Sequence, residues 1–334
     1  MITSIELQAF RGVREGRLDG LSPLTILTGP NGGGKSTVLD ALLVAGGDDP
    51  ESGLGRALER HPGTWLGADA CVGRGDGARL SISEGDGRKI TFYLELRDSH
   101  PMAELEGHPV PHRSVRVAAS LEKQPHPHIG ALLVAADNAW SPSAGVWTRL
   151  LDQPVTLVDP SLFQDLGQAW AEVVKAGRRK AVTDLLSQVV PWAGNLESLQ
   201  ESGGRSQLYA TGDTGAVPVN LLGDGVAALL HLAIRIAPVN RGLILVEEPE
   251  VFQHPRSLRL TARLLLAAVE RGAQVVLTTH NVELIELLVQ GADPALQDRI
   301  SLHNLALSGG RLQVARFAGD DLRYGVEQAV ESLR

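Results

Sequence analysis

The chain has 334 residues, of which 43% are hydrophobic and 21% charged, and its formal net charge is −8. This composition is typical of a globular protein with a sizeable core, and it excludes a surface that is basic throughout. A single cysteine, Cys71, excludes an internal disulfide and a cysteine-rich zinc site. The N-terminal residues MITSIELQAF are unlike a signal peptide, and no run reaches about 18 uncharged apolar residues, so we expect a cytoplasmic protein that does not associate with membranes.

The first informative segment is an alternating run, Ile2–Phe10, that predicts a half-buried strand and is followed by Arg11. Residues 24–43, LTILTGPNGGGKSTVLDALL, then predict a strand, a glycine-rich turn and a helix. The turn fits the pattern G-x-x-x-x-G-K-[ST], in which backbone N–H groups and a helix N-terminus bind a polyphosphate. The predicted nucleotide-binding residues are Gly29, Pro30, Asn31, Gly32, Gly33, Gly34, Lys35, Ser36 and Thr37.

Two side chains of this turn have predicted chemical roles. Lys35 places a positive charge on the β- and γ-phosphates, and the Ser36 hydroxyl binds Mg²⁺. Arg11 is a third candidate, because it is close enough in sequence to reach the bound nucleotide. A solvated arginine in a turn is the alternative for Arg11, and the sequence leaves both open.

The middle of the chain predicts a mixture of elements. Residues 80–97 contain two alternating runs around Glu-Gly-Asp-Gly and predict a β-hairpin. Residues 100–130 are rich in proline and histidine, and we interpret them as a solvated loop without a metal site. Residues 161–190 predict two amphipathic helices, and residues 199–219 predict short strands.

Two continuous apolar runs in the second half predict strands buried on both faces. The first, residues 243–246, ends in Glu-Glu-Pro-Glu, and the second, residues 274–277, ends in Thr-Thr-His. Ligands of open α/β sheets collect at such strand ends. We therefore predict that Glu247 binds Mg²⁺, that Glu248 polarises the attacking water, and that His280 hydrogen-bonds the γ-phosphate.

A second glycine turn, Gly223-Asp224-Gly225, precedes the predicted helix 226–237 and offers N–H groups to an anion. Beyond His280 we predict strands at 300–306 and 311–315 and a terminal helix.

These segments together resemble the ABC-type ATPases of the RecF/SMC-like branch, and most closely stand-alone ATPases related to the OLD (overcoming lysogenisation defect) family. The resemblance spans residue 3 to about residue 290 and is carried by IELQAFRGV, LTGPNGGGKST, LLGDGVAALLHLA, LILVEEPEVFQHP and VVLTTHNVELIELL. It implies an α/β fold of the ABC-ATPase P-loop type, with a mainly parallel core sheet, an antiparallel β portion and an inserted helical subdomain. It also implies one ATPase domain over residues 1–334, made of an N-terminal lobe (1–100), an inserted loop and helical region (101–219) and a C-terminal lobe (220–334).

The resemblance also assigns roles to individual residues. Lys35 and Ser36 correspond to the Walker A lysine and serine, Glu247 to the Walker B acid, Glu248 to the catalytic glutamate and His280 to the switch histidine. Gly223-Asp224-Gly225 corresponds to the signature motif, which in the family contacts the nucleotide of a second subunit. The resemblance therefore implies ATP and Mg²⁺ as ligands and an ATP-sandwiched homodimer.

Departures from the family pattern leave more than one function open. Glu247 replaces the usual aspartate, and Gly223 stands where transporter-type signatures have serine. No long heptad region is present, which excludes an SMC-like arm. The roughly fifty residues after His280 are too few for the TOPRIM nuclease domain of full-length OLD proteins, so we expect any nuclease to be another chain.

The first hypothesis is a Mg²⁺-dependent ATPase that controls a separate effector, with a nuclease as one candidate, in phage defence or DNA maintenance. The second is a nucleotide-gated scaffold with little turnover. A transporter subunit ranks third, because the sequence lacks the LSGGQ signature and the D-E-x-T strand end. Direct DNA binding would need a local basic patch on this acidic chain.

Overall fold

A computed structural model describes residues 1–47, 50–60, 77–97, 103–105, 108–110, 112–121, 128–135, 140–142, 151, 153–159, 166–200, 206–213 and 215–333. The chain forms two units. The first comprises Met1–Ser22, Leu27–Val155 and His303–Arg316, and the second comprises Pro23–Ile26, Thr156–Leu302 and Phe317–Arg334. The lobe boundaries placed at residues 100 and 219 from the sequence remain predictions.

The strands are β1 (Ile2–Phe10), β2 (Val13–Asp19), β3 (Leu24–Thr28), β4 (Ala78–Glu84), β5 (Lys89–Arg97), β6 (Ala103–Leu105), β7 (His108–Val110), β8 (His112–Leu121), β9 (His128–Ala135), β10 (Trp140–Pro142), β11 (Val155–Val158), β12 (Asn195–Gln200), β13 (Ser206–Gly212), β14 (Gly215–Pro218), β15 (Gly242–Glu247), β16 (Ala273–Thr278), β17 (Ile300–Ser308) and β18 (Arg311–Ala318). The α-helices are α1 (Lys35–Ala45), α2 (Pro50–Glu59), α3 (Leu166–Lys175), α4 (Arg179–Val189), α5 (Asp224–Ile236), α6 (Pro255–Glu270), α7 (Val282–Gly291), α8 (Pro294–Gln297) and α9 (Gly319–Leu333).

Antiparallel pairing dominates the first unit. Its strands lie in the order β10-β9-β8-β5-β4-β1-β2-β18, and only the β2–β18 neighbours are parallel among these described pairs. The predicted hairpin is confirmed, because β4 and β5 pair antiparallel around the Glu-Gly-Asp-Gly turn.

The sheet of the first unit buries one face through the two-residue period of its strands. Leu7, Leu80, Phe92 and Ala119 stand opposite one another across four strands, and all are fully buried. Helix α1 contacts β1 and β4. This packing holds the helix that follows the glycine-rich turn.

The interpretation of residues 100–130 as a solvated loop is wrong for much of the segment. Residues 112–121 and 128–135 form β8 and β9, and Val115, Val117 and Ala119 are buried. The alternation of these apolar residues outweighs the proline and histidine content, because the prolines of the segment lie outside both strands.

In the second unit, two strands run parallel and buried, as predicted. β15 pairs with β16 in a register that joins Gly242 to Ala273 and Glu247 to Thr278. The strands that have residues in this unit lie in the order β17-β3-β16-β15-β11. Ile244 and Val275 of the paired strands are fully buried and pack in one core with α6 and α7.

A smaller core of the second unit contains the predicted helical segment. Trp170 of α3, Leu186 of α4 and Leu229 of α5 pack together with Leu208 of the antiparallel sheet β12-β13-β14. The two predicted helices and the short strands are therefore confirmed, apart from residues 161–165, 201–205 and 214, which lie outside the described residues. Among the described residues, no helix has the length and apolar character needed to cross a bilayer.

A buried histidine lies on α5 in the second unit. His231 is 3% exposed, and its Nε2 atom has no hydrogen-bond partner among the described residues. Burial, with a smaller effect of Arg235, lowers the pKa of His231 to about 4, although Asp159 acts in the opposite direction. The folded protein therefore keeps this ring neutral at pH values where the unfolded chain protonates it.

We expect the folded state to lose stability as the pH falls below the ordinary histidine pKa of about 6.5, because the unfolded chain then binds a proton that folded His231 does not. Between about pH 7.5 and about pH 5 this residue accounts for a loss of about 2 kcal/mol. Urea unfolding of the wild type and of His231→Leu over this range measures the effect. The variant should show the shallower pH dependence, and an identical dependence in both proteins would contradict the assignment.

Candidate functional site

The glycine-rich turn at residues 29–37, called the phosphate loop from here on, follows β3 and leads into α1 in the first unit, as predicted. Three of its glycines have positive φ angles: Gly29 at 134°, Gly32 at 75° and Gly34 at 96°. Residues other than glycine rarely adopt these φ angles, so the three glycines allow the backbone of the loop to curve in this way. Its apex, Pro30 to Gly32, is exposed, whereas Gly33 and Gly34 are buried.

Close backbone packing adds a second requirement for glycine. A Cβ atom on Gly29 would lie 2.1 Å from the carbonyl oxygen of Leu305, and one on Gly33 would lie 2.8 Å from the same oxygen. Leu305 of β17, a residue of the first unit, therefore lies against the loop and supports it. The glycine pattern predicts the turn, but nothing in the sequence signals Leu305 as its neighbour.

Lys35 is the first residue of α1 and is only 6% exposed. Its Nζ atom donates hydrogen bonds to the carbonyl oxygens of Gly29, at 3.0 Å, and of Pro30, at 3.2 Å. The ammonium group thus lies across the curve of the loop. Ser36 and Thr37 follow in the first helical turn and are half-buried. A polyphosphate fits this arrangement, because the charge and the helix N-terminus both favour an anion.

Arg11 is not a solvated turn residue. Its side chain is 20% exposed, and its guanidinium pairs with Asp40 on α1, a carboxylate that is fully buried. Asp40 also pairs with Arg60, whose side chain is 1% exposed. The sequence analysis overlooked this triad, although a lone aspartate in the apolar stretch VLDALL was a signal for it. Contact of Arg11 with nucleotide remains a prediction.

In the second unit the parallel register brings two predicted catalytic residues together. Because Glu247 pairs with Thr278, Glu248 and His280 emerge from the same edge of the sheet. The His280 Nε2 atom lies 3.2 Å from Glu248 Oε1, and the two side chains are 38% and 37% exposed. The pair is therefore accessible to water.

Glu248 has an unusual backbone conformation. Its φ angle is 39°, and its N–H group donates to both the carbonyl oxygen and the Oγ1 atom of Thr278, each at 3.1 Å. A left-handed glutamate is strained and persists only where its surroundings fix it. Thr278 supplies that restraint.

Glu247, at the end of β15, is half-buried. Its carboxylate is a hard oxygen donor of the kind that Mg²⁺ prefers, and the Ser36 hydroxyl in the first unit is another. The chemistry of both side chains therefore fits the predicted metal, and their role as ligands remains a prediction.

The predicted signature turn begins α5. Gly223 is the N-cap, with φ at 94°, and Gly223 and Asp224 are exposed. A Cβ atom on Gly225 would lie 2.5 Å from the carbonyl oxygen of Phe252, so the helix start packs closely on the turn after β15. Phe252 itself is 59% exposed with φ at 64°. The turn can offer N–H groups to an anion, and that role remains a prediction.

Two family models match parts of this chain. Residues 136–286 match the family model described as "AAA domain, putative AbiEii toxin, Type IV TA system", and residues 4–98 match a second model described as "AAA domain". The chain is also similar to the uncharacterized protein MJECL11 of Methanocaldococcus jannaschii, with 36% identity over 72 residues. That similarity covers 21% of this chain and 63% of the relative, so the chain spans less than two thirds of the relative's length.

Among solved structures, an SMC head bound to the C-winged helix domain of ScpA is similar over 97% of this chain and 99% of that chain, with a TM-score of 0.53 and 13% identity. The fold is that of an ABC-type P-loop ATPase. The SMC head domain from Thermotoga maritima has a TM-score of 0.43 at 17% identity, and covers 95% of this chain and 99% of its own. The Pyrococcus furiosus SMC head has a TM-score of 0.47 at 13% identity, and covers 100% and 99%. The fold assignment does not depend on these two lower scores. Similarity to RecF/SMC-like P-loop ATPases is thus supported, and the relation to the OLD family remains a prediction.

We expect Gly29→Ala to destabilise the first unit by at least about 2 kcal/mol, because the new Cβ combines a strained φ with a backbone collision. Gly87→Ala is the matched control, since Gly87 has φ at 84° but open space around its Cβ position. Chemical denaturation compares the two variants. Equal destabilisation would show that the Leu305 carbonyl is not close to the loop.

We expect Asp40→Asn to lower the free energy of unfolding by about 3 kcal/mol, because it removes the buried negative charge that Arg11 and Arg60 share. Asp19→Asn removes an exposed partner of Arg17 and should leave stability nearly unchanged. Urea unfolding measures both changes. Similar small effects in the two variants would contradict the proposed importance of the triad.

Proposed function

We propose that this protein is a cytoplasmic Mg²⁺-dependent ATPase that works as an ATP-sandwiched homodimer and controls a separate effector protein. The observation that carries the proposal is the Glu248–His280 pair at the ends of two parallel strands, in a chain that also has a lysine-bearing phosphate loop. The matches to AAA-domain models support nucleotide-dependent ATPase activity.

The phosphate loop binds the triphosphate in this proposal. Backbone N–H groups of the loop and the N-terminus of α1 face the anion, and Lys35 exchanges its carbonyl partners for phosphate oxygens. Ser36 and Glu247 would hold Mg²⁺, which neutralises developing phosphate charge when bound. The loop N–H groups and Lys35 would hold the triphosphate in place.

Glu248 positions the attacking water and accepts its proton. An ionised carboxylate only accepts hydrogen bonds. At 3.2 Å the Nε2–H group of His280 therefore donates a hydrogen bond to Glu248 Oε1. The second carboxylate oxygen remains available to a water molecule. When His280 turns to a γ-phosphate oxygen instead, Glu248 Oε1 is released from this hydrogen bond and can accept one from the water. Nucleotide binding and base activation are thereby linked.

The dimer and the effector are supported by the likeness to known proteins. The exposed Gly223-Asp224 turn at the start of α5 is the surface through which a second copy would contact nucleotide. The SMC head structure is described as bound to a domain of ScpA, and one matched family model names a toxin of a Type IV TA system. We therefore propose a separate partner, with phage defence or DNA maintenance as the setting.

One residue favours a second candidate function. Glu247 is one methylene longer than the usual aspartate, and this longer arm to the metal would slow turnover. A nucleotide-gated scaffold, which binds ATP and dimerises with little hydrolysis, would follow from this change.

We expect Glu248→Gln to reduce phosphate release from ATP by at least about 100-fold while ATP binding is retained, because the amide cannot accept the proton of water. Phosphate release with ATP and Mg²⁺, with and without duplex DNA, measures this for the wild type, the variant and the control Glu270→Gln at the exposed end of α6.

Each outcome of this assay separates the candidates. Stimulation by DNA would indicate a DNA sensor. Negligible wild-type turnover together with ATP-dependent dimerisation, measured by light scattering, would favour the scaffold. Undiminished turnover in Glu248→Gln would refute the role of Glu248.

A further inference from the structure

A third carboxylate lies beside the candidate catalytic pair. Glu250 is two residues beyond Glu248, and its Oε1 atom accepts two hydrogen bonds from the end of the neighbouring strand: one from Thr279 Oγ1 at 2.6 Å and one from the His280 N–H group at 2.9 Å. Hydrogen bonds to a charged acceptor are among the stronger ones in proteins. Glu250 thus ties the turn after β15 to the residues that follow β16.

The hydrogen bonds continue from this point into α7. The Thr279 hydroxyl donates a hydrogen bond to Glu250 and accepts one from the N–H group of Asn281 at 3.0 Å. The Asn281 side chain then caps α7 by accepting the N–H group of Leu284 at 2.9 Å. One carboxylate oxygen therefore begins a chain of bonds that fixes the backbone on which the His280 ring is carried.

The backbone held by Glu250 carries the His280 ring and places it near Glu248. Thr279 is fully buried, whereas the His280 side chain is 38% exposed and lies 3.2 Å from Glu248. The position of the ring depends on the main chain that carries it, and His280 N–H is held by Glu250. A rotation of that main chain would separate Nε2 from Glu248.

Stability alone does not account for the placement of Glu250. Its second oxygen, Oε2, is buried and has no hydrogen-bond partner among the described residues, which is unfavourable for a carboxylate. In this same position, the first oxygen accepts hydrogen bonds from both Thr279 and His280.

We infer that Glu250 is a positioning residue, which orients His280 toward Glu248 and so sets the rate of the chemical step without touching the nucleotide. The inference rests on the proposed ATPase function. It separates Glu250 from Glu247 and Glu248, which lie in the same acidic run but which we assign to the metal and the water.

The test compares Glu250→Ala with Glu250→Gln, and uses Glu283→Gln in the first turn of α7 as the control for a nearby charge change. The alanine variant should lose about tenfold to about hundredfold in kcat with KM for ATP within about twofold of wild type, because the reacting groups are misaligned while binding is intact. The glutamine variant keeps an acceptor oxygen and should lose less than about threefold in kcat. Glu283→Gln should behave as wild type.

A second readout does not require turnover. The chain has ten histidines, and carbon-13 labelling of their rings gives an NMR signal for His280 that is assigned by its loss in His280→Gln. Glu250→Ala should shift this signal, and Glu250→Gln should leave it close to its wild-type position. If Glu250→Ala does not fold, Thr279→Val takes its place, because it removes the hydroxyl of the chain and retains the His280 N–H bond.

Two results would overturn the inference: a folded Glu250→Ala protein with kcat within about twofold of wild type, or one whose His280 signal is unchanged. The same holds for Thr279→Val if that variant is used, with an unchanged His280 signal as the contrary result. A wild type without ATP turnover would refute the proposed function, and the NMR comparison would still decide whether Glu250 orients His280.

Discussion

The parallel register of β15 and β16 is the constraint on which the second unit's candidate site depends. The four central residues of β15 and all residues of β16 are buried, so a slip of one residue would move each side chain to the opposite face of the sheet and into the other layer of the core. The buried side chains of Ile244 and Val275 fix the register, and the register places Glu247 opposite Thr278. The hydrogen bonds of Glu248 and Glu250 to residues 278–280 then follow, because both turns leave the sheet at one edge. Hydrophobic burial in the strands thus decides the polar geometry beyond them.

In the first unit the corresponding constraint is the closeness of two backbones. Gly29 and Gly33 allow the Leu305 carbonyl to approach the phosphate loop to a distance that any side chain would prevent. The loop therefore has its shape before any ligand is present, supported by Leu305 of β17 and by the Lys35 ammonium across it. Preformed loops of this kind spend little binding free energy on ordering.

Local sequence patterns predicted most of the helices and strands. They did not predict contacts between residues that are distant in sequence. The glycine loop, the hairpin, the buried strands and the paired helices all have signals within windows of about ten to twenty residues. The neighbours Leu305 of Gly29 and Glu250 of His280 lie far away in sequence, and no single chain signals such pairs. Residues 112–121 were misinterpreted because composition was weighed above the alternation of Val115, Val117 and Ala119. Arg11 was proposed as a nucleotide ligand without knowledge of Asp40, whose burial only the fold reveals.

The order of segments in the first unit has a consequence for protein synthesis. Residues 27–155 and 303–316 belong to the same unit, so the carbonyl that supports Gly29 is translated long after the phosphate loop itself. At about 5–20 residues per second, the roughly 275 residues between them take about 15–55 s to synthesise. During that time Gly29 and Gly33 lack the Leu305 carbonyl that lies against them in the folded protein. The last support of the loop is therefore added late, when residue 305 joins a unit whose loop was made many seconds earlier.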